Sequence, residues 1–254
     1  MNFEHILEHH IMDHAMFPMF SLGPVQMSMS QHLMIMWIVG GFLTLVTTFA
    51  ARSQSRLAAG LRGGIEPVIL YVRDEILHPI FHDATETYLP YFLTLFFFIF
   101  TANLAGLIPW SASVTGNISV TAGLAICTFV MMQFAGAKEQ GPIEYVKHIC
   151  PGGLPFWLIP LIFAIEVMGM FAKCIALCIR LFANMVAGHV VSLAFLSLIF
   201  IFAAASKAVG LAVAPAAVGL ALFVYLLDVL VSLLQAYIFT MLTALFVGAA
   251  VHPH

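Results

Sequence analysis

The chain has 254 residues, of which 62% are apolar and 8% are Asp, Glu, Lys or Arg, against about 45–50% and about 25% in an ordinary soluble domain. That composition excludes a soluble enzyme and a disordered chain, and it makes membrane lipid the expected solvent. A formal net charge of −3, with no basic run and no arginine–aromatic cluster, sets nucleic acid aside as a partner.

The amino terminus, Met1-Asn2-Phe3-Glu4-His5, lacks the basic start and apolar run of a cleaved signal peptide, so it is expected in the mature protein. His5, His9, His10 and His14 suggest a metal, but a tail with no cysteine or fixed scaffold reads as solvated, and no metal or cofactor is expected. A membrane helix needs about 20 apolar residues to cross about 30 Å of hydrocarbon. Leu33–Ala51, Tyr88–Trp110 and Ile118–Gly136 meet that length. Between the first two, Glu66–His82 sets Ile69, Val72, Ile76 and Ile80 at helical spacing against Arg73, Asp74, Glu75 and His82. That segment is too polar to cross; it reads as an interfacial helix on the cytoplasmic surface or a loop helix packed on another subunit.

Leu154–Ala204 and Ala208–Val251 run for about 51 and about 44 residues, roughly 77 and 66 Å if wholly helical. Each must either break into two crossings or lie steeply tilted. A break at membrane depth needs polar turn chemistry, and little of it stands between Leu161 and Ile201. Two long tilted helices are therefore favoured, with a seven-span arrangement as the alternative. The fold class is an all-α integral membrane protein of about five membrane helices plus an interfacial helix. Its organisation reads as an amino-terminal segment over 1–32, three membrane helices with the interfacial helix over 33–153, and a long helical hairpin over 154–254. Cys127, Cys150, Cys174 and Cys178 lie in or beside apolar runs and read as small packing residues.

Lys and Arg in the loops set the orientation. Arg52, Arg56, Arg62, Arg73, Lys138 and Lys147 fall on one side under the five-span reading, and only Lys207 on the other. The amino terminus is thus expected in the periplasm or its equivalent and the carboxy terminus in the cytoplasm. Trp37, Trp110 and Trp157 near span ends suit an interfacial aromatic belt.

Charges inside a membrane cost about 2.5–3.5 kcal/mol each on insertion scales and rarely persist without a task. Here they concentrate in the last two helices. Glu166, Lys173, Arg180 and Asn184 fall within about 40° of one another on a helical wheel, and Asp228, Ser232 and Gln235 within about 60°. His189 lies about 180° round from Arg180. A guanidinium does not discharge on burial as an ammonium can, so Arg180 is a permanent cation able to drive a proton off a neighbouring carboxyl. The bland alternative is an arginine neutralised by Glu166 or helix carbonyls merely to join two helices. His189 and Asp228 are the residue types best suited to pass a proton, since imidazole titrates near neutrality and burial moves a carboxyl toward it. Separately satisfied core residues are the alternative for that pair. Glu166 and Lys173 would line a second aqueous route, and Asn103 is expected to make a structural helix–helix hydrogen bond where Gly106 permits close approach.

Arg180-Leu181-Phe182-Ala183-Asn184-Met185-Val186-Ala187-Gly188-His189 resembles the signature of subunit a of the rotary ATP synthase. Asn103-Leu104-Ala105-Gly106-Leu107-Ile108-Pro109 and Leu234-Gln235-Ala236-Tyr237-Ile238-Phe239-Thr240-Met241-Leu242-Thr243 agree with it. The order and spacing suit that family from about residue 30 to the end. The resemblance implies a non-catalytic stator subunit in a bacterial inner membrane, partnered by the ring of c subunits and by subunit b of the peripheral stalk. Its two long helices would curve round that ring. By resemblance, Arg180 faces the ring carboxyl and separates two aqueous half-channels, flanked by Asn184 and Gln235. His189 and Asp228 match a relay pair on the outer half-channel; some relatives exchange acid and imidazole between these positions. Glu166 and Lys173 match positions near the ion pathway. No Gly-rich phosphate loop is present for nucleotide binding.

The chief rival is an ion-coupled secondary transporter, which would usually carry paired repeats and broken helices, neither of which stands out in this sequence. An intramembrane enzyme lacks an HExxH pair. A purely structural scaffold leaves Arg180 unexplained.

Overall fold

A backbone in lipid has no water to bond, so long apolar runs satisfy their N–H and C=O groups most readily as helices. The structure, a computed structural model, describes residues 15–22, 25–53, 55–108, 113–141, 144–145 and 158–251. Among these, five helical runs are long and apolar enough to cross a membrane. The protein is a multi-pass, all-α integral membrane protein.

One small departure precedes the helices. Strands β1 (Ala15–Leu22) and β2 (Val25–Ser30) pair antiparallel, with Leu22 opposite Val25 and Ala15 opposite Ser30. The sequence reading foresaw no hairpin in this segment, because Pro18 and the run of methionines obscure a period-two pattern. His5, His9, His10 and His14 lie outside the described residues, as do Trp110, Lys147, Cys150 and Trp157.

Helix α1 covers Gln31–Arg52. Helix α2 (Arg56–Tyr71) starts where Ser55 caps it, the serine side chain accepting the Ala58 N–H at 3.2 Å. The helical path then passes through a π turn (Val72–Leu77) into α3 (His78–Phe81). It breaks at His82, whose φ is 45°. The interfacial helix expected over Glu66–His82 therefore begins earlier, at Arg56. Gly60, Gly63 and Gly64 hid that start, since each glycine disfavours helix by about 1 kcal/mol, of which a cap such as Ser55 offsets about 1 kcal/mol.

Helix α4 (Thr85–Gly106) and α5 (Ile118–Gln140) follow, and then α6 (Ile159–Ala205) and α7 (Lys207–Val251), of 47 and 45 residues. Neither long helix breaks, and α7 continues through Pro215. At roughly 70 Å each they cannot stand upright in about 30 Å of hydrocarbon, so both lie tilted. The seven-span alternative fails on this continuity. Ser206 alone separates them.

The chain divides into two compact units. One comprises Met1–Leu45, Phe98–Asn117 and Leu181–Ala236. In it the second part of α6 and the first part of α7 run antiparallel. Gly210 lies against Ala203, where a methyl on the glycine would come within 2.7 Å of the alanine Cα. Small buried residues, Ser192, Ala217 and Ala221, continue that close packing.

The other unit comprises Val46–Phe97, Ile118–Arg180 and Tyr237–His254. Here α5 and the first part of α6 meet along one face of each. Thr121 Oγ1 lies 3.4 Å from Cys178 Sγ, Cys174 Sγ donates to the Ala125 carbonyl at 3.4 Å, and Phe129 stacks on Phe171 at 5.2 Å. Gln133 Nε2 then donates to Met170 Sδ at 3.4 Å. The fourfold step along α5 is the helix period itself. Val72, Ile76, Leu77 and Phe81 are buried, Phe81 packing on Tyr88 and Phe92 at 4.8 and 5.7 Å, while Asp74, Glu75 and His82 stay exposed. Cys127, Cys174 and Cys178 are free thiols.

Candidate functional site

In the first unit, the segments of α6 and α7 beyond the hairpin turn bring four of the singled-out polar residues to one place. Asn184, His189, Asp228 and Ser232 line a small cavity together with Leu107, Met185, Gly188 and Val231. Its volume of about 10 Å³ is near what one water needs. The helical wheel had set Asn184 and His189 on different faces; they share this cavity because it opens between the two faces, over Met185 and Gly188.

Gly188 explains how the Asp228 carboxyl fits against α6. A Cβ at 188 would stand 2.7 and 2.8 Å from the two carboxylate oxygens. Glycine therefore gives the acid its seat, and any other residue would displace it. The signal was legible as a glycine inside a helix, immediately before the singled-out histidine, where packing rather than propensity must justify it. His189 and Asp228 are both half-buried, and each passes its backbone carbonyl to a serine one turn on: Ser192 Oγ donates to His189 at 3.0 Å and Ser232 Oγ to Asp228 at 2.7 Å. Those bonds point both serine hydroxyls back at their own helices.

Gln235, one turn beyond Ser232, is 5% exposed, and its Nε2 has no hydrogen-bond partner among the described residues. A buried amide left so costs about 1–3 kcal/mol. Asn103 is 1% exposed and accepts a hydrogen bond from the Thr115 hydroxyl at 2.7 Å, so its partner is a short loop turn. Gly106 packs against Met185 and Ser113.

Glu166, Lys173 and Arg180 belong to the second unit, and all three are exposed on α6. Lys173 Nζ lies 5.3 Å over the ring of Phe246. Arg180 has neither an ion pair nor a hydrogen bond among the described residues, where the ion pair is Arg73 with Asp74 at 2.8 Å. Glu166 thus does not neutralise it.

Comparison with known proteins follows the same residues. Residues 33–248 match the family described as ATP synthase A chain. The chain is 37% identical over 258 residues to ATP synthase subunit a of Chloroherpeton thalassium, covering 97% of this chain and 75% of that one. It is 40% identical over 240 residues to ATP synthase subunit a of Myxococcus xanthus, with 91% and 77% covered. It is 38% identical over 262 residues to ATP synthase subunit a 2 of Chlorobaculum tepidum, with 96% and 72% covered.

Proposed function

The chain belongs to the ATP synthase A chain family, and from that premise we propose that it is the stator that hands protons to and from a rotating ring of carboxyl-bearing c subunits. The observation that carries this reading is Arg180, an exposed cation on an apolar helix with no counter-charge among the described residues. The partner such a group calls for is an acid on another chain.

The steps follow from charge. A proton enters from the outer side through His189 and Asp228 and neutralises a ring carboxylate, which removes the cost of carrying that charge through lipid. The ring turns, and the same carboxyl comes round to the other half-channel. There the positive charge of Arg180 favours loss of its proton to the cytoplasmic side, because an opposite charge within about 4–6 Å lowers a carboxyl pKa by about 1–3 units. Glu166 and Lys173, exposed on the same helix, suit the walls of that exit; by the family resemblance Asn184 and Gln235 would flank the arginine. One charge falling through 100 mV yields about 2.3 kcal/mol, so several protons serve each ATP made elsewhere in the complex. The subunit itself makes no covalent bond in this scheme. Subunit b of the peripheral stalk would hold it against rotation.

The loop cations support a bacterial inner membrane placement with the amino terminus outside and the carboxy terminus in the cytoplasm. ATP-driven proton pumping in inverted vesicles carrying Arg180→Ala, with assembly checked in the same membranes, tests the function. Pumping lost from an assembled complex supports it. Normal pumping rejects it and returns the ion-coupled transporter to the front.

A further inference from the structure

His32 lies outside every role assigned so far, in the first turn of α1, and it is 6% exposed. Its Nδ1 is 2.8 Å from the carbonyl oxygen of Ser113. A carbonyl only accepts, so this nitrogen carries the hydrogen and donates. The bond spans 81 residues of sequence and lands on the turn Val114–Gly116, which Ser113 caps by accepting the Gly116 N–H at 3.1 Å. Two other supports hold the same turn. Thr115, fully buried, donates to Asn103, and Ser113 packs on Gly106, where a methyl would come within 2.8 Å of its Oγ. Gly106 in turn lies against Met185, and Met185 and Leu107 line the cavity of His189 and Asp228.

We propose that His32 is a positioning residue for the proton-relay cavity: its ring N–H pins the 113–116 turn, and the turn sets Gly106 and Leu107 as the wall of that cavity. The inference rests on the proposed relay role of His189 and Asp228. It assigns His32 a hydrogen bond to give, and no proton to carry.

The test separates those two tasks, because an Asn amide nitrogen sits close to where Nδ1 sits yet cannot carry a proton. ATP-driven pumping is measured in inverted vesicles with the whole complex assembled. His32→Leu is expected to lower pumping several-fold, and His32→Asn to restore it to within about twofold, the residual reflecting a hydrogen bond of about 1 kcal/mol imperfectly remade. Pumping by His32→Leu equal to the unsubstituted protein overturns the proposal. So does His32→Asn as deficient as His32→Leu, since then the imidazole matters for something a donor cannot supply. If His32→Leu does not assemble, Thr115→Val and Gly106→Ala carry the test on the other two supports, and unchanged pumping in both overturns it. Arg180→Ala in the same vesicles distinguishes the two levels. Pumping retained there rejects the relay reading and this inference together, whereas pumping lost there but normal in His32→Leu rejects this inference alone.

Discussion

The polar side chains singled out on the long helices are enclosed in one unit and open in the other. Asn184, His189 and Asp228 are half-buried around a cavity that their own chain completes, with Gly188 making room for the carboxyl. Glu166, Lys173 and Arg180 stand exposed on α6, and the arginine has no counter-charge among the described residues. Both sets are costly in an apolar protein, so the difference in enclosure separates two kinds of task. Under the proposed function, the groups assigned to pass a proton within the chain are the ones that chain walls in, and the group assigned to act on another chain is the one left facing outward.

The comparison breaks most visibly at Arg180. Replacement by lysine keeps a charge but not a permanent, weakly hydrated one, and coupled pumping should fall by more than about a hundredfold, the effect of about 2.7 kcal/mol at a rate-setting step; unchanged pumping would remove the arginine from the mechanism. Within the enclosed set, Asp228→Asn keeps shape and loses the ionisable group. Proton uptake should drop by about a hundredfold, the usual contribution of a positioned proton-transfer group, as read by fluorescence quenching in vesicles. Gly188→Ala sharpens the point without touching a titratable group. Its methyl collides with the Asp228 carboxyl, overpacking of this kind costs about 1–3 kcal/mol, and a several-fold loss of pumping with normal assembly is expected. Glu166→Gln should have the smallest effect, about twofold, because an exposed carboxylate on an open face is replaceable by water there; a loss as large as that of Asp228→Asn would erase the distinction between the two sets.

Much of this was legible from the residues. The span lengths came from hydropathy, and the two overlong runs announced α6 and α7 because no turn chemistry interrupts them. The candidate residues stood out because charged and polar side chains are conspicuous in an apolar helix. What stayed hidden depended on contacts distant in sequence. A helical wheel places Asn184 and His189 apart, yet a cavity bounded by α7 and Leu107 joins them. Gly188 is visible as a glycine inside a helix, but its reason, the carboxyl of Asp228, lies 40 residues later. His32 carried no pattern at all, its significance resting on one hydrogen bond across 81 residues. The early start of α2 was masked by three glycines, and only the Ser55 cap reveals it.

In the proposed mechanism the Arg180 face meets another chain and the Asp228 cavity does not. Ala176, exposed one helical turn before Arg180 and on its face, and Val231, half-buried in the cavity wall, give the two sites reporters. Each is replaced by cysteine in membranes whose ring subunits carry a cysteine next to their carboxyl, and disulfide formation is scored by mobility shift. Cross-links to the ring are expected from Ala176→Cys and none from Val231→Cys. Cross-links from Val231→Cys with none from Ala176→Cys would contradict the proposed arrangement.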